Sequence, residues 1–242
     1  ITFLQIIAMT NKMKFIILLF SLTFFSSSCE KGIEMMTIEG FIKDRASLEP
    51  IAGIEIFVVA QEAPLRMGIF GGRNENVGQG TTDSKGYYKI MLTVFKEAAN
   101  LELFINGANL KEGYVSIQPN ISLSSLNRSG TNSLNYTLSP TAQFKIKYKN
   151  KNPIDDKDFF YFSYQPNGGT KGVLTDENCG TVIQSEAGIW TGKDVCGAKT
   201  FEAIAEKNIF INWTVKKNNV TRYYSDSIYV KRGVINEFHL NY

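Results

Sequence analysis

Residues 143–149 alternate polar and apolar without a break: Phe144, Ile146 and Tyr148 fall on one side and four polar residues on the other. A pleated strand turns that order into one buried and one wet face, because its successive side chains point opposite ways. The same period of two returns along the chain. Residues 37–43 alternate, and 54–60 set Ile54, Ile56 and Val58 on one face. Segments 87–93, 101–105, 114–117 and 133–138 follow in the same manner. Further on, 158–164 would place Phe160, Phe162 and Tyr164 on one side and Phe159 and Tyr161 on the other. Segments 200–205, 209–215, 220–230 and 234–242 complete the series, the last aligning Phe238, Leu240 and Tyr242. Between them lie turn residues: 50–53, 80–86 with glycines able to take positive φ, 149–153, and 216–219. No stretch after residue 35 carries a convincing helical period. The pattern predicts an all-β protein of two β-sandwich domains, 36–140 and 141–242, meeting at Ser139 and Pro140.

Charge and residue counts exclude several function classes. The formal charge of +3 includes Lys12 and Lys14, which lie in a segment expected to be removed; without them 24 basic residues face 23 acidic ones, a net +1. No basic patch argues for nucleic acid. The single histidine, His239, is the fourth residue from the end of this sequence, on the last predicted strand, with no visible partner for acid–base work. No catalytic residue, metal ligand set or cofactor is assigned. Asp155, Asp156 and Asp158 lack the regular spacing of a calcium loop and read as an acidic turn.

The N-terminus carries its own signal. Met13 and Lys14 precede about eleven mostly apolar residues, then Ser26, Ser27, Ser28 and Cys29. The apolar run is short of the roughly 20 residues that a spanning helix needs. Met9 or Met13 is the expected start. Small residues before a cysteine make this segment resemble a bacterial lipoprotein signal, in a form similar to that of Bacteroidetes lipoproteins, although Ser26 stands where Leu is commonest. The resemblance implies removal of residues 1–28, acylation of Cys29, a tether over 29–35, and a lipid-anchored protein at the outer membrane or cell surface. Its partners would be the bilayer, through acylated Cys29, and an envelope protein or a glycan.

With Cys29 assigned to lipid, Cys179 and Cys196 remain. An exported chain meets an oxidising compartment, so an even pair is expected to bridge. Both are followed by glycine, consistent with a pinned hairpin or loop.

The first domain also resembles a known family. Ile38 to Ile42, then Pro50 to Ile56, then Thr81, Thr82, Asp83, Gly86, Tyr87 and Tyr88 are similar in order and type to a carboxypeptidase regulatory-like domain. That resemblance implies a transthyretin-like, seven-stranded sandwich with an accessory role and no peptidase activity. The stretch 61–78 is longer than such a family member usually has. Within it Ile69 and Phe70 sit in an apolar, Gly-rich segment and are expected to tuck onto the sandwich edge or add a short strand, with partner contact as the alternative. The second domain reads as immunoglobulin-like in architecture. Its aromatics Phe159, Tyr161, Trp190 and Trp213 are expected to pack in the core or between the domains, with stacking on sugar rings as the alternative.

Overall fold

The computed structural model describes residues 32–63, 72–107, 111–164, 172–179, 183–184 and 188–242. The lipid-acceptor candidate Cys29, the predicted signal segment and the loop residues Ile69 and Phe70 lie outside the described residues. The described chain is β throughout, apart from one 3-10 turn at Leu123–Ser125.

Eight strands build the first sandwich: β1 (Ile33–Asp44), β2 (Glu55–Glu62), β3 (Asn74–Thr81), β4 (Tyr87–Phe95), β5 (Ala98–Ile105), β6 (Asn120–Ser122), β7 (Thr131–Ser133) and β8 (Tyr136–Leu138). One sheet runs β4-β1-β7 with β8 also on β1, and the other β3-β2-β5-β6. The alternation works as expected. Ile54, Ile56, Val58 and Ala60 are buried against Ile38, Ile90, Leu92 and Leu103. Burying a side chain of this size is worth about 1.5–3 kcal/mol, so the inward rows of four strands hold the sandwich closed.

Several local expectations are corrected. The stretch after residue 61 is not one long loop: its far end is strand β3, paired antiparallel with β2. Gly80 belongs to that strand, where Ile90 packs so closely that an added Cβ would lie 2.7 Å from its Cγ1; of the two expected turn glycines only Gly86 has positive φ, at 70°. Residues 114–117 form isolated bridges, Tyr114 to Pro140 and Ile105 to Ile117, rather than a strand. The segment 133–138 is split into β7 and β8. At the break the Asn135 side chain, not a backbone carbonyl, accepts the Phe41 amide at 2.8 Å.

Nine strands build the second sandwich: β9 (Thr141–Lys149), β10 (Phe159–Tyr164), β11 (Val173–Asn178), β12 (Ile183–Gln184), β13 (Ile189–Thr191), β14 (Cys196–Ile204), β15 (Lys207–Lys217), β16 (Val220–Val230) and β17 (Ile235–Asn241). Its sheets run β12-β13-β10-β15-β16 and β11-β14-β9-β17, with β17 parallel to β9. Aromatic rings fill the space between them. Phe162 stacks on Trp190 at 5.2 Å and Phe160 on Tyr242 at 4.5 Å. The Cys179–Cys196 disulfide is formed, its Cα atoms 5.3 Å apart, and ties the end of β11 to the start of β14.

Candidate functional site

The sheet pairing decides which of the predicted aromatics can meet a ligand. Strand β10 pairs with β15 and β15 with β16, so their side chains form rows across three strands. Phe160, Phe162, Ile211 and Val215 face the opposite sheet and are buried. Phe159 and Tyr161 therefore face outward, together with Phe210, Thr214 and Lys216 of β15 and Tyr223 of β16. One row reads Tyr161, Thr214, Tyr223; the next reads Ser163, Asn212, Ser225. Neighbouring strands lie about 4.8 Å apart, so Tyr161 and Tyr223 stand about 10 Å apart in their row. Tyr161 is 37% exposed, Phe210 51% and Tyr223 80%.

The two tryptophans are elsewhere. Trp190 is 1% exposed and enclosed by Tyr148, Phe160 and Phe162, which is the core-packing reading and leaves no ring face for the sugar-stacking alternative. Trp213 is half-buried on the inner side of its sheet, stacked on Tyr224 at 5.3 Å and edge-on to Phe238. Of the four predicted aromatics, the fold thus gathers Phe159 and Tyr161 on one open face and places Trp190 and Trp213 behind it. Sequence reading passed over Phe210 and Tyr223. Their positions on the outward parity of the long strands 209–215 and 220–230 were the available signal.

Behind this face, where β16 overhangs the opposite sheet, a groove of about 500 Å³ is lined by Ile154, Lys217, Val220, Arg222, Tyr224 and Tyr242. Lys217 donates to Asn150 Oδ1 at 2.7 Å and to the Asn152 carbonyl at 2.8 Å, with its ammonium 4.9 Å from the Tyr242 ring centre. Burial lowers the pKa of Lys217, against the attraction of Asp158. Asp158, fully buried, is not a surface acid. Burial disfavours its charge, but hydrogen bonds from Asn150 Nδ2 and the Ile154 amide, both 2.9 Å, help to hold its pKa below the ordinary value. His239 points outward on β17, 3.5 Å from Glu237.

No protein-family model matches this chain, and no curated protein does. Among solved structures it is similar to the Bacillus anthracis TIE protein, at 13% identity and a TM-score of 0.34 over 86% of this chain. It is also similar to the full-length major pilin SpaD from Corynebacterium diphtheriae, at 11% and 0.31 over 81%. A shaft pilin SpaA double mutant from Lactobacillus rhamnosus GG gives 11% and 0.32 over 87% of this chain and 98% of that one. The chain spans 33% of the first of these proteins and 64% of the second.

With so little similarity, the site rests on its own geometry. Among the described residues no three His, Cys, Asp or Glu side chains gather as a metal site would require. What the outward face offers is contact: flat aromatic surface beside hydroxyl and amide groups, on a rigid sheet.

Proposed function

We propose that this protein is a non-enzymatic cell-envelope lipoprotein, anchored in the outer membrane or cell surface through acylated Cys29, that serves as a binding or assembly module. In this reading the first sandwich is a carboxypeptidase regulatory-like spacer. The second, immunoglobulin-like sandwich carries the contact face. The observation that carries the reading is the open row of Tyr161, Thr214 and Tyr223, an aromatic surface on a face that no second layer covers among the described residues. The disulfide supports export, since such bridges persist in oxidising compartments.

The test is site-specific photo-crosslinking in native envelopes from position 161, with the same probe at Lys89 on the first sandwich as control. One envelope protein captured from 161 and not from 89 is the expected result. Intact mass of the purified protein reports the anchor separately: residues 29–242 plus acyl chains are expected. No specific adduct at 161 would count against the assembly role, and an unmodified Cys29 against the anchor.

A second reading is glycan binding. It is favoured by the combination of Tyr161 and Tyr223 with Thr214, Asn212 and Ser225 in adjacent rows, a mix of ring faces and hydrogen-bonding groups suited to sugars. A glycan array that lights up with the native protein and goes dark for Tyr161→Ala and Tyr223→Ala would establish it; a blank array would end it.

A further inference from the structure

Among the described residues, strand β16 is the outermost strand of its five-stranded sheet and pairs only with β15. The connecting turn is two residues long, Asn218 and Asn219, both at positive φ. Such a turn makes Lys217 and Val220 the closing pair that exchanges both backbone hydrogen bonds. The backbone groups of Val220, Arg222, Tyr224, Asp226 and Ile228 are then spent on β15. Those of Thr221, Tyr223, Ser225 and Ser227 point out of the sheet. One hydrogen bond agrees with this parity: the Ser227 amide, without a strand partner, donates to Asp226 Oδ1 at 2.7 Å.

Natural sheets blunt such an edge with proline, a bulge, a cover or charged side chains, above all lysine; the two charges on β16, Arg222 and Asp226, are of opposite sign and share the parity of the inner residues Val215 and Ile211. Here residues 220–230 contain no proline, glycine or lysine, pair with β15 without a bulge, and are exposed from 220 to 227. Among the described residues neither Arg222 nor Asp226 takes part in an ion pair.

We propose that β16 docks antiparallel on β16 of a second copy of this chain, with the two-fold axis at Tyr224. Opposed residues must share backbone parity, so the register can change only in steps of two. Centred on Tyr224, Arg222 of each copy lies opposite Asp226 of the other. Thr221 meets Ser227, Tyr223 meets Ser225, and Val220 meets Ile228. Charge meets opposite charge twice, hydroxyl residues meet hydroxyl residues, and apolar meets apolar. A shift of two residues either way sets Arg222 against Ile228 and Asp226 against Tyr224, or Arg222 against Tyr224 and Asp226 against Val220. The charged residues also fall at the non-hydrogen-bonded positions, where facing Cα atoms approach to about 4.5 Å and side chains are nearest. Pairing satisfies the free backbone groups of four residues on each copy and frees Asp226 from the Ser227 amide to meet Arg222. The interface is isologous and closed, which makes a dimer and not a fibre. This inference stands on the strand edge alone and does not depend on what the outward face binds.

The test is sedimentation velocity on the full chain in density-matched detergent, with circular dichroism as a control for folding. The native chain sediments as a dimer. Arg222→Asp and Asp226→Arg each weaken it about tenfold or more, because like charges then face each other. The double variant Arg222→Asp with Asp226→Arg restores it. Under mild oxidation Tyr224→Cys forms an intermolecular disulfide, its Cα spacing being within the range a bridge spans, whereas Ser227→Cys, which lies opposite Thr221, does not. A native monomer, a dimer indifferent to single charge reversal, a double variant that stays monomeric, or crosslinking at 227 in place of 224 would each overturn the proposal.

Discussion

Arg232 reaches across 188 positions of sequence to Asp44, its Nη1 donating to Oδ2 at 2.6 Å, and so joins the β16–β17 connection of the second sandwich to the end of β1 in the first. The Asp44 side chain is 2% exposed and that of Arg232 41%. Tyr114 completes the junction. Its hydroxyl donates to Asp44 Oδ2 at 3.1 Å and lies 2.6 Å from Arg232 Nη2, while its ring lies under the guanidinium. Asp44 also accepts the amides of Ala46 and Ser47, so one carboxylate holds both a turn and the neighbouring sandwich. Hydrogen bonds to charged groups contribute about 1.5–3 kcal/mol each. Asp44→Ala is expected to cost about 3 kcal/mol, and Arg232→Ala about 1–2 kcal/mol. Urea denaturation measures both, and equal costs would show that the turn contributes nothing beyond the junction.

Acid should weaken the fold through two aspartates. Burial opposes the charge of both Asp44 and Asp158, but their hydrogen bonds and nearby cations outweigh it and hold each pKa below the ordinary aspartate value. A carboxylate with a lowered folded pKa stabilises the native state fully above its unfolded pKa. That stability is lost as pH falls through the folded value. Melting temperature should therefore hold down to about pH 4 and then drop. Asp158→Asn should lower the stability above pH 4 by about 1–2 kcal/mol, bring the melting temperature of the plateau down with it, and flatten the drop. An acid slope identical to that of the native protein would exclude Asp158 from the linkage.

The disulfide closes a loop with a sequence separation of 17, worth about 3 kcal/mol by loop-closure entropy. It joins strands already paired, since Asn178 faces Gly197 and the Cys179 amide donates to the Cys196 carbonyl at 3.2 Å. Its loss should free edge strand β11 first. Reduction, or Cys179→Ala with Cys196→Ala, is expected to speed amide exchange in 173–178 while β9 and β10 stay protected. Uniform loss of protection across the second sandwich would mean that the bridge holds the whole unit.

Replacing Trp190 and replacing Tyr223 should have opposite signatures. Trp190→Ala empties the centre of the aromatic core and should cost about 3–5 kcal/mol. Tyr223→Ala removes an exposed ring and should change stability by no more than about 0.5 kcal/mol. A stable Trp190→Ala protein would mean that the core collapses around the gap.

Much of this fold was legible because strand periodicity is local. Alternation alone placed Ile54, Ile56 and Val58 inward, and likewise Phe144, Ile146 and Tyr148, and all six are buried. Strand β3 escaped notice because its sequence, Asn-Glu-Asn-Val-Gly-Gln-Gly-Thr, offers only Val77 to the core; it is held by backbone pairing to β2, which no side-chain pattern reveals. The segment 114–117 had the right composition but no continuous partner strand, so it makes bridges only.

Residue type and a period of two were enough to set the β class, the inward and outward faces of most strands, and the pairing of the last two cysteines. Tertiary structure alone decided which outward residues share a face, that Trp190 is core while Tyr161 and Tyr223 stand in one row, and that β16 is an edge strand among the described residues. Those are properties of sheet order and register. They depend on which strand lies beside which, and that is settled by long-range packing of the whole chain.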